Sequence, residues 1–532
     1  MKKLNIFSIG LLSAAALAMT SCKDSFLEQE PQTKAEVESY FSTEAHITEG
    51  LVGAYVPVHN YDYNGTIFGQ LNWADILGDD MLTGSASVTD QEAWHNAASF
   101  KLTAANTLSQ YWTVSYDGIK SCNDILDAIE KNKEKLSADF VAKTTAELKV
   151  LRSFYYTVVW KWYGNIPVFM NALKASDLVE QSDPTTAYET IITDLESAID
   201  ANVLPMRAES GQEGHMTQAA AYMIFAELVM YQNDQTRFPK ALAYMEQIID
   251  SGKYALNRSF ADLWSPEGEW CDESIFEVNY TDGPLCIRSY PDEKDPYGTS
   301  LTFIGGTFQC QALGPDGGVS TDPDVANNGW GTFVPRRTCL DLYAANDERR
   351  DVTLLDGEPG NPSARIQNQN LFLNKYVPRY SHVASGTGGS DQCRWNDNLR
   401  VYRYAETLLN AAELIVRTGG DAAKAKGYIT QVRKRAGLVS EVEPTLDNIL
   451  TERRKEFLGE GKRYFDLVRM EDVAGVSQKA SALLKIETEP VNEKGDKGRQ
   501  GNWTPNKKYI PIDSKELSSA QGSLKQNDAY FN

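Results

Sequence analysis

Apolar residues return every three or four positions along most of this chain, the spacing that puts them on one face of a helix. Stripes of this kind predict helices over residues 33–55, 67–83, 108–129, 138–162, 186–201, 215–231, 238–251, 399–417, 422–435 and 449–470. The clearest is 138–162, where Phe140, Leu148, Leu151, Tyr155, Val158 and Trp162 fall in register and Gly164 and Pro167 end the run. After Tyr254 the pattern changes. From 256 to 395 glycine and proline are frequent, helical runs are few, and 274–280 alternates as a short strand does. The polar stretch 84–99, which holds Trp94 and Asn96, reads as a loop. These patterns predict a mostly α fold in which helix pairs form a scaffold and a loop-rich insertion carries short strands. Its boundaries fall at 1–21, 22–255, 256–395 and 396–532. Small residues at packing positions suggest tetratricopeptide-like pairs, although no clean period of about 34 residues is present.

Residues 449–470 are the most particular stretch. Two apolar faces flank Gly459 and Gly461, and charges interleave: Glu452 with Lys455, Arg453 with Glu456, Arg463 with Asp466, Asp466 with Arg469. Residues three apart lie side by side on a helix. On the residues alone this is a helix–turn–helix with an ion-laced outer face, its charges structural rather than catalytic. The order R-x-x-E-F-x-x-E-G-x-R-x-x-D-L-x-R, however, resembles the SusD/RagB family, surface lipoproteins of glycan-uptake systems in Bacteroidetes-type bacteria. Three further runs are similar to that family: A-E-L-K-V-L-R-S-F-Y-Y with the later K-W-Y-G-N-I-P-V; Gly329-Trp330-Gly331 with Pro335 and Asp347-Glu348-Arg349; and the tail Tyr509-Ile510-Pro511-Ile512 with Gln526-Asn527 and Tyr530. The resemblance implies a helical core of tetratricopeptide-like pairs and a non-catalytic protein without cofactor. It also implies a glycan ligand and a SusC-like TonB-dependent outer-membrane barrel as partner.

The N-terminus agrees. Lys2 and Lys3 precede an uncharged run from 4 to 19 and then Thr20-Ser21-Cys22. A run of this length is short for a bilayer span, which needs about 20 residues, and reads as a secretory signal. Cys22 stands where a bacterial lipoprotein carries its acylated cysteine, although Met19 replaces the usual leucine three residues before it. The expected location is the outer membrane, lipid-anchored, facing the cell exterior.

The formal net charge of -21 excludes nucleic acid or anionic lipid held by bulk electrostatics and suits a neutral ligand. None of the five histidines is within four residues of another, and no cysteine pair has zinc spacing, so no zinc site is expected, while a calcium ion in the acidic Asp79-Asp80 loop stays open. The pairing of Cys122, Cys271, Cys286, Cys310, Cys339 and Cys393 stays open, with Cys271–Cys286 one plausible closure and free thiols the other. Of the acidic residues only the adjacent pair Asp79-Asp80 invites inspection as a glycosidase dyad, and neighbours in sequence do not flank one bond. Loop aromatics are better candidates for chemistry. A flat ring stacks on the C–H face of a sugar while nearby amides take its hydroxyls. Trp94, Asn96, Tyr290, Tyr297 and Trp330 are the candidate glycan-binding residues, with Trp264 and Trp270 in the same class of loop aromatic. A carbohydrate-active enzyme and a helical scaffold for protein partners are the alternatives.

Overall fold

The computed structural model describes residues 40–62, 70–174, 176–281, 306–357, 363–383, 395–484 and 503–530, and the backbone of 287–294 and 300–304. The predicted signal, Cys22, Cys286, Tyr297 and Cys393 lie outside the described residues. Cys122, Cys271, Cys310 and Cys339 are free thiols.

Eleven helices of seven residues or more carry the described fold: α1 Glu44–Asn60, α2 Glu92–Ala98, α3 Gln110–Asn132, α4 Ala138–Tyr163, α5 Pro184–Ala201, α6 Gln218–Gln232, α7 Phe238–Asp250, α8 Tyr404–Thr418, α9 Ala422–Arg435, α10 Leu446–Phe457 and α11 Arg463–Arg469. Neighbours in sequence pack as antiparallel pairs, α3 on α4, α4 on α5, α6 on α7 and α8 on α9, while α1 lies on α3 and α7 on α8. Side-chain caps fix several starts. Asp183 accepts the Thr185 and Thr186 amides and precedes Pro184, and Thr217, Asp421 and Thr445 cap α6, α9 and α10. Each such cap is worth about 1 kcal/mol. Helix α6 is buried along nearly its whole surface, and its alanines let α4 and α7 approach closely.

Ten short strands among the described residues pair two by two, all antiparallel: β1 Met81–Thr83 with β7 Phe333–Pro335, β2 Ile166–Pro167 with β3 Gln181–Ser182, β4 Ser274–Val278 with β10 Leu399–Arg403, β5 Ile287–Lys294 with β6 Ser300–Ile304, and β8 Leu354–Asp356 with β9 Leu371–Leu373. One hydrophobic core runs from Ile47 to Ile512 and takes in Phe276 and Phe333 from the loop-rich stretch. The tail closes on the end of α4. Ile510 N–H donates to Trp162 O at 2.8 Å, and the Asn527 amide donates to Tyr163 O at 3.0 Å.

Four expectations need correction. The first helix runs to Asn60 with Pro57 inside it instead of ending there. The stripe at 67–83 resolves into a 3-10 helix at Leu71–Leu77 and then β1. Residues 399–403 form strand β10, because β4 supplies a ladder partner, and the helix starts only at Tyr404. The charges of 449–470 do not line an outer face. Glu452, Arg453, Glu456, Glu460, Arg463, Asp466 and Arg469 are all buried.

Their partners come mostly from other elements. Glu456 accepts from Arg349 and Arg403 at 3.1 Å each and from Arg435. Glu460 takes Arg403 at 2.8 Å and Lys375 at 2.6 Å. Glu452 joins Arg349 at 2.7 Å to Arg433 at 2.9 Å. Arg453 reaches Asp466 at 2.8 Å and Asn410 at 2.7 Å, and Asp466 with Arg469 is the one expected helical pair that forms. Arg463 pairs with Asp79 and Arg454 with Asp80, which ties the N-terminal part to the C-terminal part. Between α10 and α11 the chain turns through Gly459 and Gly461, at φ +83° and +78°. A Cβ on Gly461 would stand 2.5 Å from Leu71 O. The buried Asp75 carboxylate accepts the amides of Gly459, Gly461 and Arg463 at 2.9–3.1 Å and so clasps this turn from the far end of the sequence.

Removing one member of a buried ion cluster leaves the others uncompensated, at a cost of about 3–5 kcal/mol. Glu456→Ala is therefore expected to lower the denaturation midpoint and Tm by that equivalent. Chemical and thermal denaturation check this, and an unchanged midpoint contradicts a structural role.

Candidate functional site

The β1–β7 pair delivers two loops to one place, where a third joins them. Thr83 opposes Phe333, and from these ends the chain runs into residues 84–91 on one side and back to 328–332 on the other. A Cβ on Gly84 would lie 1.9 Å from Gly331 O, so the two loops touch backbone to backbone only because glycine stands there. The Gly329-Trp330-Gly331 run is laid along residues 311–315: Gly329 N donates to Pro315 O at 2.7 Å, Trp330 N to Gln311 O at 2.8 Å and Gly331 N to Gly314 O at 3.0 Å. The third loop, 363–370, joins through Ile366 N to Ser85 O at 3.0 Å. Its anchor is Asp316, which accepts from Ser363 and lies 3.6 Å from Arg365.

This frame holds Trp330 half-buried, its ring tilted against Phe308 with centroids 6.1 Å apart. Arg365 stands half-buried at the Gly329-Trp330-Gly331 run, its guanidinium 3.5 Å from Gly329 O, and Gln367 and Asn370 are half-buried on the same third loop. The same bank carries Tyr380, whose ring is 51% exposed and rests against Trp395, 6.4 Å away. Tyr380 N donates to Asp324 O at 2.9 Å, and Arg379 pairs with Asp322 at 3.0 Å. The result is two aromatic surfaces among amides, a guanidinium and carboxylates, on a backbone fixed by its own hydrogen bonds. Such an arrangement suits a neutral polyhydroxyl ligand.

Trp94 is a correction. It lies in helix α2, not in a loop, and is 2% exposed. Its indole packs edge-on to Trp73 at 5.5 Å and Phe333 at 5.3 Å, directly beneath the β1–β7 pair. It offers no open face for stacking and instead supports the floor from which the loops spring. Asn96, two residues on, is half-buried on the same helix. Tyr290 falls in β5 opposite Leu301, in a strand described by its backbone alone. Trp264 is buried between Phe260 and Tyr376, with Lys375 4.7 Å from its ring, so it belongs to the ion cluster. Asp79 and Asp80 are both committed to Arg463 and Arg454, and do not face each other across a cleft. Arg365, Gln367 and Tyr380 were missed by sequence reasoning. Only Tyr380 carried a signal, an aromatic between polar residues ahead of a glycine-rich run.

Comparisons with known proteins place the chain in a family. Residues 25–230 match the family described as "Starch-binding associating with outer membrane", and residues 356–530 match the "SusD family". The structure is similar to surface glycan-binding protein A from Bacteroides uniformis, with 38% identity, a TM-score of 0.80, and coverage of 91% of this chain and 99% of that one. It is also similar to surface glycan-binding protein A from Bacteroides thetaiotaomicron in complex with laminarihexaose, with 37% identity, a TM-score of 0.78 and the same coverage. SusD-like protein P25 of Formosa agariphila is 25% identical over 491 residues, 84% of this chain and 87% of that protein. The chain belongs to the SusD family.

His95 tests the packing under the site. Its Nε2 lies 3.1 Å from Ser85 Oγ at the root of the first loop, and burial lowers its pKa from the usual histidine range. A histidine held neutral in the fold is protonated first in the unfolded chain. Stability is therefore complete above the unfolded value, about 6.5, and falls as pH drops through the window between the two values. His95→Gln is expected to flatten this dependence, as measured by Tm between neutral and mildly acidic pH. Trp94→Ala is expected to cost about 3–5 kcal/mol, the range for emptying a buried tryptophan site. A Trp94→Ala protein with wild-type Tm contradicts the supporting role.

Proposed function

We propose that this protein is a non-catalytic, cell-surface glycan-binding lipoprotein that captures laminarin-type oligosaccharides on the Trp330 loops and passes them to a TonB-dependent outer-membrane barrel. The observation that carries this reading is the 37% identity, across nearly the full length of both chains, to a surface glycan-binding protein whose structure holds laminarihexaose. A relative described as a laminarin-binding SusD-like protein, 26% identical with a TM-score of 0.74, supports the same ligand class. Trp330 and Tyr380 supply the stacking surfaces in this reading, and Asn96, Arg365 and Gln367 the hydroxyl partners. Tyr290 and Tyr297 are kept as further contacts from the 287–304 region. Cys22 carries the acyl anchor, which holds the protein at the outer membrane with the barrel as its partner. Among the described residues no helix is long and apolar enough to cross a membrane.

Calorimetric titration with laminarihexaose is expected to show binding in the micromolar to millimolar range, equivalent to about -8 to -4 kcal/mol. Such an affinity suits a protein that must release its ligand. Stacking adds about 0.5–1.5 kcal/mol per ring beyond area, so Trp330→Ala should weaken binding about two- to twelve-fold with Tm unchanged. A reducing-sugar assay on the same samples should show no turnover, and turnover would restore the enzyme reading. Cys22→Ala should move the protein from the membrane fraction to the soluble one. A mutant that stays membrane-bound contradicts the anchor.

A further inference from the structure

A second aromatic platform lies away from the Trp330 loops, at Trp270. This residue adopts φ +51°, a left-handed conformation that bulky side chains rarely take unless the surroundings impose it. The surroundings are specific. Arg207 donates to the carbonyls of Trp270 at 3.1 Å, Cys271 at 3.0 Å and Lys253 at 3.0 Å, and to the Asp272 carboxylate at 2.6 Å. One guanidinium therefore braces the whole turn. The indole Nε1 donates to Asn279 Oδ1 at 2.7 Å, which fixes the ring's rotation. Gly214 passes the same edge, where a Cβ would stand 3.2 Å from Asn279 Nδ2 and 3.9 Å from Trp270 Cζ2. The ring is half-buried and held along its Nε1 edge.

Trp270 lines a cleft of about 240 Å³ with Ser210, Glu213, His215 and Tyr254. His215 also lines an adjoining cleft of about 440 Å³, so the two meet at its imidazole. Its Nδ1 sits 2.6 Å from Glu147 Oε1, which in turn accepts from the Tyr55 hydroxyl at 2.7 Å. That leaves Nε2 as the ring's remaining polar atom. Ser210 and Glu213 stand exposed on the rim. A locked indole plate flanked by a hydroxyl, a carboxylate and a fixed imidazole is the chemistry of pyranose recognition: the plate takes the C–H face and the polar groups take ring hydroxyls.

We infer that the Trp270–His215 cleft is a second carbohydrate-binding site, one that takes a single sugar residue or chain end and acts with the Trp330 loops on one polysaccharide. Two sites on one molecule raise retention of a long chain through effective concentration, without either site binding tightly. The inference rests on the glycan-binding reading for its choice of probes, and the two are separable by experiment.

The protein without its signal, labelled with 15N at the tryptophan indoles, is titrated with laminarihexaose and with maltohexaose, as wild type and as Trp330→Ala. The Trp270 resonance is identified by its loss in Trp270→Phe and, should that variant fold poorly, by its displacement in Asn279→Ala. The expected result is a saturable shift of the Trp270 resonance with at least one oligosaccharide, retained in Trp330→Ala. If the Trp330 resonance responds and that of Trp270 does not, the second site is overturned and the main reading stands. If Trp270 responds and Trp330 does not, the second site stands and the main site is misplaced. If neither moves with either sugar, both are overturned.

Discussion

The fold depends on a cluster of buried charges that no single segment could satisfy. Arg403 lies at the end of a strand, Arg349 on a short helical turn, Arg435 at the end of α9 and Lys375 in the loop-rich region, yet all four converge on Glu456 and Glu460. Burial of this kind is costly unless every charge is answered, and here the arginines also lie over aromatic rings, Arg403 at 5.0 Å from Phe457 and Arg435 at 4.8 Å from Phe260. The consequences show in the electrostatics. The surrounding guanidinium groups hold Glu456 well below the usual carboxylate range although burial opposes this, and burial brings Lys375 down to about 8. These pairs tie the loop-rich region, through Arg349 and Lys375, to the helices that carry Arg435 and Glu456.

From that fixed point the site follows. Asp79 and Asp80, held by Arg463 and Arg454, immediately precede β1, and β1 with β7 sets the origin of two of the three loops. Trp94 fills the space below. The candidate face is thus built on regular elements at its base and on backbone hydrogen bonds at its rim. In the proposed role this pre-formed face keeps the ordering cost of capture low, while the small number of plates keeps release easy.

The helix pairs were legible in the sequence because long amphipathic stripes such as 138–162 are hard to read any other way. Short segments were not. Residues 399–403 are apolar enough to continue a helix, and only the presence of β4 far away in sequence turns them into a strand. Trp94 looked like a loop residue because its sequence neighbours are polar, but a short helix turns the indole into the core while those neighbours stay exposed or half-buried. The charges of 449–470 had the spacing of surface pairs, and spacing carries no information about burial. What resolved them was the resemblance of their order to a family, whose meaning becomes physical only when Arg349, Lys375 and Arg403 are seen around them. Arg365 carried no signal and Tyr380 only that of an aromatic among polar residues, because their place at the site depends on contacts of the 311–332 bank.

The central claim is that the three loops around Trp330 form the glycan-capturing face. A crystal structure of the protein grown with laminarihexaose tests it most directly. The account predicts a sugar ring stacked on Trp330, with hydroxyls within hydrogen-bond reach of the 84–96 and 363–370 segments. An oligosaccharide bound at well-defined density elsewhere, with Trp330 untouched, would contradict it.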